Sequence, residues 1–455
     1  MENKFTAVIL AAGMGSRMKS NLPKPAHKAC GKELINWVID AARAAGAEKT
    51  VAVVGHGKEE IEKTARTGTV FAEQKNMLGT GDAVASALSF IDPGYTVILC
   101  GDTPIITAET IKGALSETVK KGYDALVLTA DAYNPTGYGR IVKEGGLVKK
   151  IVEEKNASCE EKKITEINSG MFVFKSDALL SSVPKIEKNE ISGEYYFTDT
   201  VEILVSEGKK VGSYKIADFD EIMGVNDRVA LSKADAVLRR RINYSLMYSG
   251  VTITDPERTY IEDGVKIGRD SVILPGTILE GNTVIGEGCV IGPDTKLTDV
   301  SIGDKTTVIK SVGLDCAVGC GTSVGPFAYL RPATNVGDGC RIGDFVELKN
   351  STIGDGTKVS HLTYVGDSDV GERVNFGCGT VTVNYDGAKK YRTTIGNDVF
   401  VGCNSNLVAP VTLSDGAYTA AGSTITDNVP ENTLAIARAR QVNKDSWNDR
   451  RKNKK

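Results

Sequence analysis

The residues best suited by type and spacing to do chemistry lie near the start, in Leu10-Ala11-Ala12-Gly13-Met14-Gly15-Ser16-Arg17-Met18, followed by Pro23-Lys24-Pro25. An apolar strand that runs through a glycine turn into a helix lets backbone N–H groups approach phosphate oxygens. Arg17 adds a planar fork of donors, and Lys24 adds a point charge on a flexible stem. A tight turn with solvated basic residues would explain a bare Gly-x-Gly. It does not explain small Ala-Ala-Gly packing joined to an Arg and a Pro-flanked Lys. Met18 stands where a dinucleotide fingerprint needs Gly or Ala, which disfavours a nicotinamide dehydrogenase. Cys100-Gly101-Asp102 closes a second apolar run, at the strand end where ligands of open α/β sheets gather. Alone, Asp102 reads as a turn former or helix cap.

A second candidate is His361, the only histidine after residue 56. A solitary histidine is more often structural than catalytic. It also excludes a zinc centre built from several histidines in this part of the chain. His361 lies just upstream of Val383-Asn384-Tyr385-Asp386-Gly387-Ala388-Lys389-Lys390-Tyr391, a polar stretch that interrupts an otherwise regular period between Thr382 and Ile395. Insertions into repeat arrays commonly mark a binding face.

That period is six. Ile267, Ile273, Leu279, Ile285, Ile291 and Leu297 are followed, after a five-residue step, by Ile302 and Val308. A further run covers Val312, Val318, Val324, Leu330, Val336, Ile342 and Leu348; later come Ile353, Val359, Val365, Ile395, Val401, Leu407 and Leu413. More than half of the 49 glycines lie beyond residue 249. Period six predicts a solenoid whose short flat faces each send one aliphatic side chain inward, in roughly eight to ten coils. Before it, Ala7–Leu10, Thr50–Val54, Thr96–Leu99 and Ala125–Leu128 alternate with helical patterns such as 34–45, the α/β signature of a mostly parallel sheet. Leu231, Ala234, Leu238, Ile242 and Leu246 predict an amphipathic connecting helix. The expected division is 1–227, a helical linker 228–249, and 250–455 ending in a basic surface or mobile tail from Arg438.

At 455 residues with 55 basic and 58 acidic side chains, the chain has a net charge of −3. That balance argues against a general nucleic-acid binder. No apolar run approaches the roughly 18 residues of a membrane span, and Met1–Lys4 lacks the basic start of a secretion signal. Nine cysteines without a Cys-x-x-Cys spacing predict buried small residues in a reducing cytoplasm.

The N-terminal motif resembles the sugar-phosphate nucleotidyltransferases, and the hexads resemble the hexapeptide-repeat acyltransferases. Joined in this order, they resemble the bacterial bifunctional N-acetylglucosamine-1-phosphate uridyltransferase/glucosamine-1-phosphate N-acetyltransferase family over essentially the whole chain. The resemblance implies a Rossmann-like α/β nucleotidyltransferase domain, a linker helix and a left-handed parallel β-helix. It also implies UTP, N-acetylglucosamine 1-phosphate, glucosamine 1-phosphate and acetyl-CoA as substrates, Mg²⁺ as cofactor and a cytoplasmic homotrimer. No membrane or nucleic-acid partner is implied. Leu10, Ala11, Ala12, Gly13, Lys24, Gln74, Gly79, Thr80, Cys100, Gly101, Asp102, Gly139, Glu153, Asn168 and Asn226 match the nucleotide-sugar positions, with Glu153 and Glu154 interchangeable by one residue. Asp102 and Asn226 match the metal ligands, and Arg17 and Lys24 would neutralise phosphates. His361, in Ser360-His361-Leu362-Thr363-Tyr364, would be the general base of acetyl transfer, oriented by Glu347. Arg331, Lys349, Tyr364, Asn375 and Lys390 match glucosamine 1-phosphate contacts. Cys378, Asn384, Tyr385, Cys403, Ala421 and Arg438 match acetyl-CoA contacts.

The sequence departs from the family pattern at Cys378 and Cys403, where alanine or serine is expected. It departs again at Cys100, where an aromatic is common, and at Asp82, where histidine often follows Gly-Thr-Gly. A single-activity nucleotidyltransferase with a structural solenoid predicts a shorter array and has no use for His361, Asn384-Tyr385 or Lys390. A trimerising scaffold leaves the phosphate motif without purpose.

Overall fold

The computed structural model describes residues 4–190 and 192–452. The chain divides into two compact units, one ending at Arg239 and the next beginning at Arg240. The division falls inside a single helix, Arg228–Tyr248.

The first unit is built on a nine-stranded sheet: β1 (Phe5–Leu10), β2 (Ala47–Val54), β3 (Val70–Glu73), β4 (Tyr95–Cys100), β5 (Ala125–Asp131), β6 (Arg140–Glu144), β7 (Leu147–Val152), β8 (Glu166–Lys175) and β9 (Val211–Lys215). The order is β9-β5-β8-β4-β1-β2-β3, with the β6–β7 hairpin joined to β8. Strand β1 is parallel to both β2 and β4, whereas β8 runs antiparallel to β4 and β5. Ala7, Val8 and Ile9 are all fully buried, the mark of a strand covered on both faces. Ala7 and Ile9 pack with Ile35, Val38 and Ile111 from helices Leu34–Ala44 and Ala108–Lys121. Val8 points the other way, to Val84, Leu179 and Val201 from helices Thr80–Ala87, Ser176–Ser182 and Asp199–Ser206. Parallel pairing from β4 through β1 to β3 puts the ends of four strands, and the loops that leave them, along one edge.

The second unit is the left-handed parallel β-helix that the hexads predict. Eleven short strands, from Thr252–Ile253 to Leu434–Ala435, stack as one face. The other two faces form a 17-stranded sheet. Each inward aliphatic lies on its counterpart one coil away: Ile273 on Ile291, Leu330 on Leu348, Val336 on Ile353. These side chains form one continuous core with Ile242 and Leu246 of the helix packed against it.

Three expectations need correction. Val312 is 38% exposed, and Gly313 takes the inward place between Leu297 and Leu330. Two consecutive five-residue steps, Val308 to Gly313 and Gly313 to Val318, shift the register. A Cβ on Gly313 would stand 3.0 Å from Leu297 Cδ2 and 3.4 Å from Cys316 Sγ, so those side chains fill the space. Nor are the cysteines uniformly buried: all nine are free, but Cys159, Cys320 and Cys403 are exposed and Cys100 and Cys378 are intermediate. Cys320, Cys378 and Cys403 sit two residues past an inward aliphatic or aromatic, at a corner where side chains leave the core. Finally, no α-helix follows the first glycine turn; the chain makes one 3₁₀ turn, Ser16–Met18, ended by Lys19 in a left-handed conformation. Among the described residues no helix is long and apolar enough to cross a membrane.

Leu348, fully buried in the solenoid, tests the stacking. Leu348→Ala is expected to destabilise the second unit by about 2–5 kcal/mol in chemical denaturation, while the first unit's transition holds.

Candidate functional site

In the first unit the phosphate motif folds onto residues far along the chain. The Lys24 ammonium pairs with Asp102 Oδ2 and donates to Asn226 Oδ1 at 3.1 Å. Arg17 Nη2 donates to the same Asn226 oxygen at 3.0 Å. Asn226 is brought in because the Val225 N–H donates to the Asp102 carbonyl at 2.8 Å. Gly15, at φ +60°, lets the glycine turn lie against Lys24: a Cβ there would be 2.7 Å from Lys24 Cβ. Since no helix N-terminus follows the turn, the positive charge at this edge comes from the Arg17 and Lys24 side chains. Asp102 Oδ2 and Asn226 Oδ1 converge on one positive charge, the Lys24 ammonium. Two hard oxygens aimed at one point fit a magnesium ion, which takes oxygen ligands and keeps several waters.

Away from this charged centre, two groups of residues flank the same edge. On one side Gln74 Nε2 donates to the Gly79 carbonyl at 3.0 Å and to Asp82 Oδ2 at 2.8 Å. Thr80 Oγ1 accepts from the Phe197 N–H at 3.1 Å. On the other side Gly101 N–H donates to the Leu10 carbonyl at 2.9 Å, at the ends of β4 and β1. Gly139, Glu153 and Asn168 come together. The Asn168 N–H donates to the Gly139 carbonyl at 2.9 Å, and a Cβ on Gly139 would stand 3.5 Å from Glu153 Oε1. Glu154 faces elsewhere, in a 2.6 Å ion pair with the buried Arg140, so of the two acids it is Glu153 that borders this group. Burial pushes the Cys100 thiol up to about 12, with Asp102 adding to the shift, which keeps it neutral.

Glu153 also lines a cavity of about 250 Å³ with Lys150, Tyr196, Asp199 and Glu202. Burial raises the Glu153 carboxyl, against a hydrogen bond from Thr198. Burial, then Glu202 and Glu153, push the Asp199 carboxyl up to about 6.

In the second unit parallel register places His361 over Asp344, and imidazole Nδ1 lies 2.7 Å from Asp344 Oδ1. The sequence expectation that Glu347 orients His361 is overturned: Glu347 points along another face, into a 2.8 Å ion pair with Arg331. Residue 347 is nearer in number to 361, but residue 344 is its coil-to-coil partner. A carboxylate acceptor at Nδ1 fixes the tautomer with the proton there and leaves Nε2 with a lone pair. The same ladder continues from His361 to Cys378, Cys403 and Ala421. Lys358 and Val359 pair with Asn375 and Phe376, which pair in turn with Phe400 and Val401, then Tyr418 and Thr419. Arg438 reaches the end of this file, its Cδ 3.8 Å from where a Gly422 Cβ would stand.

Around the corner lie the cations. Lys349 and Lys390 are close enough that Lys349 lowers the Lys390 pKa by hydrogen bonding and by charge repulsion. Tyr364 is next to them, and Asn384 Nδ2 bridges Tyr364 Oη (3.4 Å) and Asp367 Oδ2. The excursion after Thr382 closes on itself through a Tyr385–Lys390 bridge, and Asp386 Oδ1 accepts from the Ala388 and Lys389 N–H groups. This turn carries Lys390 to Lys349. Tyr385 donates within its own loop, to the Gly387 carbonyl at 2.6 Å. Asn375 stands apart, on the eleven-stranded face between Lys358 and Phe400. Sequence reading missed Asp344 and Asp367. The 17-residue offset from Asp344 to His361, one coil, was the available signal.

Residues 7–152 match the MobA-like NTP transferase domain, and residues 258–293 match the bacterial transferase hexapeptide (six repeats). The bifunctional protein GlmU of Halalkalibacterium halodurans is 50% identical over 456 residues, covering 100% of both chains. That of Caldanaerobacter subterraneus is 51% identical over 450 residues, covering 98% of each, and that of Clostridium kluyveri 51% over 445 residues, covering 97% of each.

The raised Asp199 carboxyl gives a pH signature. Between about pH 4 and pH 6 the folded chain binds a proton at Asp199 that the unfolded chain has released, so this group adds stability as pH falls through that window. Asp199→Asn is expected to raise the first unit's melting temperature at pH 7.5, with the advantage shrinking toward pH 4 in a calorimetric series.

Proposed function

This chain belongs to the bifunctional GlmU family, and from that membership we propose how its two units share the work. The chain makes UDP-N-acetylglucosamine. The second unit transfers acetyl from acetyl-CoA to glucosamine 1-phosphate, and the first joins the resulting N-acetylglucosamine 1-phosphate to UTP with release of pyrophosphate. One observation carries the assignment of two activities: the solenoid holds the His361–Asp344 pair on its eleven-stranded face and, around the corner, the cations Arg331, Lys349 and Lys390. A passive solenoid needs neither an imidazole with a free Nε2 nor two ammonium groups held against each other.

For acetyl transfer, the phosphate of glucosamine 1-phosphate pairs with Arg331, Lys349 and Lys390, relieving the repulsion between the two lysines. Tyr364 holds the sugar from the side of the cations, and Asn375 from the eleven-stranded face that also carries His361. The 2-amine attacks the thioester carbonyl while His361 Nε2 takes its proton, and Asp344 stabilises the imidazolium. Collapse expels the CoA thiolate, which leaves as the thiol. Acetyl-CoA lies along the corner file of Cys378, Cys403 and Ala421, with Asn384, Tyr385 and Arg438 at its margins.

For uridylyl transfer, Gln74, Gly79 and Thr80 take the base, and Leu10, Ala11, Ala12 and Gly13 line the phosphate path. Cys100, Gly101, Gly139, Glu153 and Asn168 hold the sugar and ribose. A phosphate oxygen of N-acetylglucosamine 1-phosphate attacks the α-phosphorus of UTP in line, and pyrophosphate leaves. That oxygen is already ionised, so no general base is needed. Arg17 and Lys24 neutralise the charge that accumulates. Asp102 and Asn226 would hold Mg²⁺, which when bound would supply further positive charge to the phosphate oxygens.

The functional boundaries we assign are 1–227, 228–249 and 250–455. We assign a cytoplasmic location and small-molecule partners, with further copies of the chain in a homotrimer. Phe327, Phe345 and Leu362 support the trimer. They are exposed, apolar and beside the Asp344–His361 pair, with the Phe327 and Phe345 rings stacked 5.3 Å apart.

His361→Ala is expected to lower CoA-thiol release by about 10²–10⁴-fold while Mg²⁺-dependent pyrophosphate release from UTP persists; Lys24→Ala should do the reverse. Equal losses in both assays from either variant would refute separate sites. Acetyl-CoA should also protect Cys378 and Cys403 from alkylation, read by peptide mass spectrometry, and leave the exposed Cys159 reactive.

A further inference from the structure

Gln74 is only 6% exposed, and its amide is gripped on one side by two acceptors, the Gly79 carbonyl and Asp82 Oδ2. A primary amide nitrogen carries two hydrogens, and both are engaged. The flipped amide would set Oε1 against a carbonyl oxygen and a carboxylate at once, so it is excluded. Oε1 is left as a bare acceptor: no donor among the described residues reaches it, and it is not one of the buried polar atoms sealed away from solvent.

The frame around this amide is rigid. Gly79 has φ +103°, and a Cβ on it would lie 2.7 Å from the Tyr195 carbonyl oxygen. That carbonyl accepts from the Gly81 N–H at 2.8 Å, while the Tyr195 N–H donates to the Leu78 carbonyl at 2.7 Å. Asp82 lies in the first turn of helix Thr80–Ala87, where a negative charge is favoured by the helix dipole.

We propose that Asp82 is a positioning residue that sets nucleobase selectivity by locking the Gln74 amide with its oxygen toward the base. A fixed acceptor suits a pyrimidine whose ring N3 carries hydrogen, as in uracil. It opposes one whose N3 carries a lone pair, as in cytosine. Without the carboxylate the amide loses one of its two anchors, and the site can turn a donor toward either base. The inference rests on the reading of this site as the UTP site, and it adds the residue that makes the site choose.

The test is pyrophosphate release with N-acetylglucosamine 1-phosphate and either UTP or CTP, using the full chain, Asp82→Ala and Asp82→Asn. In Asp82→Ala the ratio of kcat/KM for UTP over CTP should fall about tenfold or more, mainly through a higher KM for UTP. Asp82→Asn keeps an accepting oxygen and should retain most of the native ratio. If Asp82→Ala unfolds the first unit, Asp82→Leu repeats the test with more bulk and still no acceptor. An unchanged ratio overturns the proposal, and so does an equal loss with both nucleotides, the mark of a merely structural role. If the native chain turns over neither nucleotide, the uridylyl reading falls and takes this inference with it. A native preference for UTP that survives Asp82→Ala removes only the role of Asp82.

Discussion

In a parallel ladder each residue sits directly over its partner on the next strand, and a one-residue slip would turn every side chain to the opposite face. Both units depend on that constraint. In the first it aligns strand ends, so that Leu10 and Gly101, 91 positions apart, meet through a backbone hydrogen bond. In the second it converts sequence distance into files of stacked side chains. The inward files form the core. One outward file puts Asp344 under His361 and continues through Cys378 and Cys403. An imidazole and the carboxylate it bonds are thereby brought together by the backbone ladder that holds up the fold.

The two charged centres share a second device. Their cations are not left bare: Lys24 is held by Asp102, Arg331 by Glu347, and Lys390 feels Asp367 as well as Lys349. Asp102 and Glu347 hold their cations in place by direct ion pairs. On the function proposed above, a phosphate dianion brings more charge than the carboxylate it competes with, so exchange of partners favours the substrate without large rearrangement.

Much of this was legible in the chain because periodicity reports burial. The α/β alternation foretold strands that lie inside β1, β2, β4 and β5, and the hexads foretold the solenoid. Where a coil shortens, the aliphatic pattern misleads: Val312 looks inward by type, yet two five-residue steps give its place to Gly313. Side-chain pairings between distant segments leave no such trace. Nothing in the spacing joins Lys24 to Asn226, 202 positions away, and the resemblance to a family supplied that association. For His361, proximity in sequence favoured Glu347, while the coil length favoured Asp344. Glycine-rich spacing likewise suggested a helix after Gly15, but Lys19 and the prolines at 23 and 25 cut it to one 3₁₀ turn.

The excursion between Thr382 and Ile395 has a consequence for how such a protein can change. Thr382 and Ile395 both occupy inward register positions, against Leu407 and Leu413, although a thirteen-residue step separates them. The loop therefore enters and leaves at a corner without displacing the coils above or below. Chain added at a corner is registered by the core only as two ends that must meet. A coil bearing such a loop is a replaceable cassette, so new recognition elements could be grafted at this corner and varied in length while the prism beneath stays the same.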